Sequence, residues 1–400
     1  MPLISKVTLR NYKSIASCRV DLRALTFLVG PNGSGKSNFL DGLRFTSDAL
    51  RTSLDHALRD RGTIKEVRRR SGGHPNHFAI RIDFTLPTGS LGHYSFQVGA
   101  KSSGGFEVQY EECQVLFGDG RLKEAHYHVQ DGKITTSSAE VLPPAVPDRL
   151  LLVAAAGLPE FRPVYDALSR MSFYNLNPRV ISEMQKPDAG ELLAREGWNS
   201  ARVFAKLPEP TKEEIANYLA RIVSGVSGVD AKVLGSQETL EFRQGVKGQK
   251  HPWRFLASSM SDGTLRAFGI LLALFQGRGR NGDAPPLVGL EEPEAALHPA
   301  AAGVLLGALR EASTISQVVV TSHSPDLLDD PDIPDESILA VESKDGVTVI
   351  GPIDEAGRSV LRDKLFTPGE LLRQNQLTPN AESFEEAQNE HQLKLFELAG

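Results

Sequence analysis

The chain has 400 residues, 40% of them hydrophobic and 24% charged, a globular balance that excludes a wholly disordered, collagenous or membrane-embedded polypeptide. Against an ordinary domain of roughly 100 to 200 residues, this length points to about two structural units or one enlarged domain. A formal charge of -6 and a pI near 6.0 exclude a polycation that coats nucleic acid indiscriminately, so any such contact must be local.

Apolar and polar positions alternate through Ile4, Val7 and Leu9, and a continuous apolar run from Leu25 to Val29 ends at Gly30. From Lys36 to about Leu50, Phe39, Leu43 and Phe45 recur at helical spacing with no internal proline, which predicts strand, glycine turn, helix. Positive charge gathers at Arg59, Arg61, Lys65, Arg68, Arg69 and Arg70; it is either a solvated helix face or a nucleic-acid patch. From about Phe78 to Lys133 the short runs IRIDF, HYSFQV, FEVQY and AHYHV alternate between turn signals, which predicts an antiparallel meander. Three prolines between Leu142 and Pro147 mark the expected internal boundary. Helical patterns follow at Asp166–Arg170, Gly190–Leu207 and Lys212–Val223. Beyond Ser261 come a helix, a buried strand Leu287–Leu290, a helix Ala300–Glu311 and a second buried strand Val318–Thr321. The longest apolar stretches, Leu150–Leu158 and Phe268–Phe275, fall far short of the roughly 18 residues of a bilayer span. The N-terminal MPLISKVTLRNYK lacks the pattern of a secretory leader, so a cytoplasmic location without a membrane partner is expected. Cys18 and Cys113 are too few to staple the chain and are expected to be reduced.

GPNGSGKS, comprising Gly30, Pro31, Asn32, Gly33, Ser34, Gly35, Lys36 and Ser37, fits the P-loop pattern and stands between a predicted strand and helix, as its mechanism demands. Its glycines let backbone N–H groups converge on phosphate oxygens at a helix N-terminus. Lys36 is expected to reach the β and γ phosphates of ATP, and the Ser37 hydroxyl to ligate Mg²⁺. LVGLEEPE, from Leu287 to Glu294, is an apolar strand ending in adjacent carboxylates. Glu291 is assigned to the metal and Glu292 to the general base that polarises the attacking water.

With MSDGTLRAFGILLAL from Met260, EAALHP from Glu294 and TSHSPDLL from Thr321, the chain resembles the ABC-type ATPases, whose signature, D-loop and switch-histidine segments occur in this order. The N-terminal LRNYKSI, the SDGTLR signature and EEPEAALHP are similar to the RecF, SMC and OLD-nuclease branch. The resemblance implies an α/β P-loop NTPase, an ABC-type ATPase head with an antiparallel β-meander and a helical signature lobe. It implies a homodimer in which Ser261 and Gly263 of one subunit close over the nucleotide held by Lys36 of the other. His323 is expected to contact the γ-phosphate or the attacking water, beside a simpler role of Ser261 as a helix cap. The expected organisation is a nucleotide-binding lobe with P-loop and antiparallel strands (1–145), a helical lobe with the signature (146–285), a return to the α/β core with the paired acids and switch histidine (286–375), and an acidic tail (376–400).

Glu291 stands where many relatives have Asp, which lengthens the reach to Mg²⁺ and implies slow hydrolysis. The glutamine that links lobe motion to the metal has only Gln97, Gln109 and Gln185 as candidates. The nuclease carboxylate cluster of OLD-type enzymes is missing, so any nuclease would be a separate chain. His126 with His128, and His74 with His77, lack a third zinc ligand and are expected at the surface. Tyr174, Asn175, Asn177 and Arg179 fit nucleic-acid contact and core or turn roles equally. Two biological roles compete: a DNA-associated ATPase in repair or phage defence, and a regulatory ATPase that controls a separate effector protein such as a nuclease or toxin.

Overall fold

The computed structural model describes residues 3–71, 75–118, 123–279 and 284–388. The chain forms two compact units, one from residues 1–171, 334–365 and 374–400, the other from 172–333 and 366–373. The first contains β1 (Ile4–Tyr12), β2 (Ile15–Asp21), β3 (Leu25–Val29), α1 (Lys36–Arg51), α2 (Leu54–Arg59) and α3 (Ile64–Val67). It continues through β4 (His77–Thr85), β5 (Leu91–Ala100), β6 (Phe106–Phe117), β7 (Lys123–Gln130), β8 (Lys133–Ser137), α4 (Leu151–Ala155) and α5 (Arg162–Ser169). The second opens with β9 (Ser172–Tyr174), α6 (Pro178–Ser182), α7 (Ser200–Ala205), α8 (Glu209–Ile222), β10 (Val226–Leu234), β11 (Gln237–Gln244) and β12 (Trp253–Leu256). It goes on with α9 (Asp262–Phe275), β13 (Leu287–Glu291), α10 (Ala302–Ala312) and β14 (Gln317–Ser322). Then β15 (Ile338–Lys344), β16 (Val347–Pro352) and α11 (Glu355–Arg362) return to the first unit, α12 (Pro368–Arg373) belongs to the second, and α13 (Ala381–Gln388) to the first.

In the first unit the strands run in the order β8-β7-β6-β5-β4-β1-β2-β16-β15-β3. The meander pairs antiparallel throughout, from Tyr127↔Ser137 at one side to Val7↔Val20 at the other. Helix α1 buries Phe39, Leu43 and Phe45 on its apolar stripe. Phe45 meets Phe78 edge-on with ring centroids 5.3 Å apart, and Tyr12 at 6.1 Å, so the helix is fixed on the sheet by directed aromatic packing.

The change of unit falls at Met171–Ser172, and the proline-rich stretch 142–147 lies inside the first unit. The cause is Glu111, buried on β6, whose carboxylate accepts the N–H groups of Leu151 (2.5 Å) and Leu152 (2.9 Å) and the hydroxyls of Tyr94 and Tyr127. Burial pushes this carboxyl above its ordinary range even against those four donors. The segment after the prolines is thereby tied to the meander rather than released from it.

In the second unit β14, β13 and β9 pair in parallel, Leu290 lying between Val320 and Tyr174. Their apolar runs are buried on both faces, as parallel strands require. Helix α9 is buried at every position from Ala267 to Phe275, which explains an apolar character all round. Two stretches differ from the sequence expectation. Of Gly190–Leu207 only Ser200–Ala205 is helical, because Gly190 (φ 62°) and Gly197 (φ 89°) take left-handed backbone and Asn199 Oδ1 holds the Ala194 N–H at 2.8 Å. The lobe also carries an antiparallel sheet, β10-β11-β12, whose first hairpin turns at Gly235 (φ 63°) and Ser236 between paired Leu234 and Gln237. Lys232 and Arg254 pair across strands with Glu241, and the exposed positions mix apolar Val233, Leu234 and Trp253 with charged Arg254, which broke the apolar alternation that marks strands.

No helix among the described residues is long and apolar enough to cross a membrane. Cys18 and Cys113 are free and buried, and burial pushes the Cys18 thiol up to about 12.

Candidate functional site

The P-loop closes β3 and opens α1. Gly33 (φ 76°) and Gly35 (φ 107°) supply the left-handed backbone of the turn. A Cβ at Gly35 would lie 2.1 Å from Thr348 Oγ1 and one at Gly30 2.0 Å from the Val341 carbonyl oxygen, so the loop sits directly on β15 and β16. Thr348 Oγ1 donates to the Ser34 carbonyl at 2.9 Å and lies 2.7 Å from Ser14 Oγ, which accepts from Asn38 Nδ2 at 2.7 Å. A hydroxyl has one proton, and Thr348 commits its own to Ser34; the relay therefore runs Asn38 to Ser14 to Thr348 to Ser34. Lys36 is buried, and its ammonium donates to the carbonyl oxygens of Gly30 (2.8 Å) and Pro31 (2.9 Å). Pro31, Asn32, Gly33 and Ser37 are exposed. Helix α1 has no side-chain cap and no acid in its first turn, so its positive end is kept for an anion. Glycines, lysine, hydroxyl and helix end together fit a nucleotide triphosphate.

Behind the loop, Asp41 of α1 is buried and accepts from Tyr12 (2.8 Å), Lys13 (2.6 Å), Arg44 (2.5 Å) and Arg61 (2.9 Å). Burial alone would raise its pKa; Arg61, Arg44 and Lys13 override that and hold the carboxyl well below the carboxylate range. This cluster revises the view of the basic run. Arg61 is spent on Asp41 and Asp48, Arg59 on Asp55, Arg70 on Glu66, and Arg68 donates to the Pro75 carbonyl.

In the second unit, Glu291 ends β13 with its carboxylate 3.0 Å from Arg195. Glu292 follows with φ 44°, a left-handed backbone disfavoured for a residue with a Cβ, and its N–H donates to the Thr321 carbonyl at 3.0 Å. That turn brings Glu292 Oε1 to 3.3 Å from His323 Nδ1 at the end of β14. Glu294 accepts from Ser322 Oγ (2.6 Å) and the His323 N–H (3.3 Å). Arg266 of α9 donates to the carbonyls of Leu176 (2.9 Å), Glu291 (3.2 Å) and Glu292 (3.0 Å), fastening the helix after the SDG turn to the acid-bearing strand end. Desolvation lowers the Arg266 pKa while Glu294, Glu292 and Glu291 oppose it. Ser261 caps α9, accepting from the Thr264 N–H at 3.3 Å, and a Cβ on Gly263 would lie 2.7 Å from the Ala296 carbonyl oxygen.

The remaining candidates are engaged in the fold. Gln97 donates to Gln109 at 2.8 Å, and Gln185 holds Ser200 and Ala201. Tyr174 is buried against Gln276, and Asn177 caps α6. His128, expected at the surface, is buried beside Thr135 (2.7 Å); His93, which sequence alone did not single out, is buried against Glu112 (2.7 Å). His77 bonds Asn76, and His74 lies outside the described residues. No group of three metal-ligating side chains occurs among the described residues. Sequence reasoning also missed Arg195, Arg266, Glu294 and Thr348. Of these, Arg266, one turn into the signature helix, and Glu294, shared by the LVGLEEPE and EAALHP segments, lay inside motifs that could have drawn attention to them.

A family model described as "AAA ATPase domain" matches residues 3–112, and one described as "AAA domain, putative AbiEii toxin, Type IV TA system" matches residues 188–329. Among solved structures the chain is similar to the Smc head domain of Pyrococcus furiosus with an extended coiled coil, bound to the C-terminal domain of ScpA: 13% identity over 91% of this chain and 100% of that one, TM-score 0.53. It is also similar to the Smc head domain with a coiled coil and joint from Pyrococcus yayanosii, at 13% identity over 91% and 100% of the two chains, TM-score 0.49. The SMC head domain from Thermotoga maritima aligns at 14% identity over 88% and 100%, TM-score 0.46. The Pyrococcus furiosus head carries the fold assignment. No curated protein matches the sequence. Two separate parts of the chain thus match AAA-type ATPase family models, and its fold is the P-loop α/β fold of an SMC head.

Proposed function

We propose that the protein hydrolyses ATP to ADP and phosphate and works as a head-to-tail homodimer closed around the nucleotide. The observation that carries hydrolysis is Glu292 held beside His323 at the ends of adjacent parallel strands, in a chain that also has a complete P-loop. Lys36 and the α1 N-terminus bind the phosphates. Ser37 and Glu291 would hold Mg²⁺, which when bound neutralises phosphate charge. Glu292 takes the proton of the attacking water, and His323 orients that water or contacts the γ-phosphate. Ser261 and Gly263, at the exposed start of α9, close over the phosphates held by a second copy's P-loop.

Lys36→Ala is expected to abolish ATP affinity, whereas Glu292→Gln keeps binding and loses turnover. Equilibrium nucleotide binding and phosphate release check both; normal turnover by the Gln variant would remove Glu292 from the reaction. Light scattering of the Glu292→Gln protein with ATP should give a dimer mass, and a monomer with ATP demonstrably bound would end the dimer proposal.

The role we assign is that of a DNA-associated ATPase in repair or defence. Pairing of Arg59, Arg61 and Arg70 with acids and of Arg68 with the Pro75 carbonyl weakens its first support, but another stretch offers one. Residues 242–261 contain no acid and include Arg243, Lys247, Lys250, Arg254 and the half-exposed Trp253. The second role, a regulatory ATPase that controls a separate effector, gains from the spent arginines. It also fits the Pyrococcus furiosus head, a fold relative bound to a separate protein domain.

A further inference from the structure

We infer that Glu294 is a positioning residue for the Glu292–His323 pair, an inference that rests on Glu292 being the base. Oε1 of Glu294 accepts from Ser322 Oγ at 2.6 Å and from the His323 N–H at 3.3 Å, and Ser322 Oγ in turn accepts the Ser324 N–H at 3.1 Å. One carboxylate oxygen thus gathers the turn that ends β14. Glu294 is itself set by the turn that ends β13, where the Ala295 N–H donates to the Glu292 carbonyl and the Leu297 N–H to the Glu294 carbonyl, each at 3.0 Å. It therefore joins the two strand ends that deliver the base and the histidine.

His323 needs such a tie. Its Nδ1 lies 3.3 Å from Glu292 Oε1 but makes no hydrogen bond among the described residues, so the ring is placed by its backbone rather than by a side-chain partner. Among the described residues, the only side chain bonded to that backbone N–H is Glu294. Charge-assisted bonds of this kind are stronger than neutral ones, and small displacements at a reacting pair cost rate steeply. The second oxygen of Glu294 is buried and bonded to nothing among the described residues, a cost the fold carries beside Arg266.

The test is steady-state ATPase kinetics of the full chain with equilibrium ATP binding alongside. Glu294→Ala should lower kcat roughly tenfold with KM and ATP affinity unchanged, and Glu294→Gln, which keeps an acceptor oxygen, should recover to within about threefold of the parent. Because Glu294 acts through His323, the Glu294→Ala/His323→Ala double variant should be no slower than His323→Ala alone. Should the Ala variant not fold, Ser322→Ala removes a bond from the other side, and its cycle with His323→Ala reads the same coupling. Losses that multiply in the cycle, or a KM that moves with kcat, would overturn the inference. A dead Glu292→Gln with a normal Glu294→Ala would sink it alone, whereas an active Glu292→Gln would take down the hydrolytic mechanism beneath it.

Discussion

The P-loop and the paired acids are held by different physics. The loop rests on a relay of neutral groups, Asn38, Ser14 and Thr348, and on glycines whose missing side chains let it lie on β15 and β16. The acids are held by guanidinium groups, Arg195 on the Glu291 carboxylate and Arg266 on three carbonyls. Within the loop the Lys36 ammonium donates to the Gly30 and Pro31 carbonyls. A strand end carrying Glu291, Glu292 and Glu294 crowds like charges, and a half-buried arginine offsets them. The difference implies that the acid end should be the more sensitive to losing one side chain.

Arg266→Met is therefore the largest expected effect on the fold. It leaves three carbonyls without their donor and removes a positive charge from beside Glu292 and Glu294, so unfolding free energy should drop by about 2 to 4 kcal/mol. Turnover should fall more than ATP affinity, because the acids move and the P-loop does not. An unchanged denaturation midpoint would show that the guanidinium is replaceable by packing and that the contrast between the two halves is wrong.

Thr348→Val keeps the shape on β16 and deletes the hydroxyl, breaking the relay at both Ser14 and Ser34. The expected loss is about 1 to 2 kcal/mol, the usual worth of two neutral hydrogen bonds, with weaker ATP binding and little change in kcat. Denaturant unfolding with and without nucleotide measures it. A loss as large as that of Arg266→Met would mean that the relay carries more than neutral hydrogen bonds ordinarily do.

The same division sets what could be read from the sequence. The P-loop is legible because its conformation depends on glycines within eight consecutive positions, between a strand and a helix whose periodicities are both strong. The acids are legible as a pair, but what holds them is not. Arg195 lies 96 positions from Glu291 along the chain, and the Glu292 turn is set by Thr321, 29 positions away. Long-range hydrogen bonds leave no local period. The β10-β11-β12 sheet was hidden for a related reason, since its exposed positions mix apolar Val233, Leu234 and Trp253 with charged Arg254 and keep no strict alternation. The loop around Asn199 looked helical because its apolar positions recur, while two left-handed glycines decide otherwise.

The smallest effect on the fold separates the two basic segments and tests the DNA role. In the first unit Arg61 is buried against Asp41, and Arg70, beyond the end of α3, pairs with Glu66. In the second, Arg243 and Arg254 pair with Asp230 and Glu241, but Lys247, Lys250 and His251 are exposed without an ion-pair partner among the described residues, beside Trp253 at 50% exposure. Unpaired lysines release counterions when they meet phosphates, and an exposed indole stacks on an unpaired base. Lys247→Glu with Lys250→Glu should therefore weaken nucleic-acid binding and flatten its log-log salt slope by about 0.9 for each phosphate no longer neutralised. Trp253→Ala should weaken single strands more than duplex. Replacing Arg68, Arg69 and Arg70 by Glu should change affinity less, because Arg68 and Arg70 already have partners, and all these variants should retain parental ATPase activity and melting temperature. If the triple arginine variant is the one that abolishes binding, the first segment is the nucleic-acid face and its pairs open on nucleic acid. If the parent shows no salt-sensitive affinity with ATP bound, the DNA role falls and control of a separate effector takes its place.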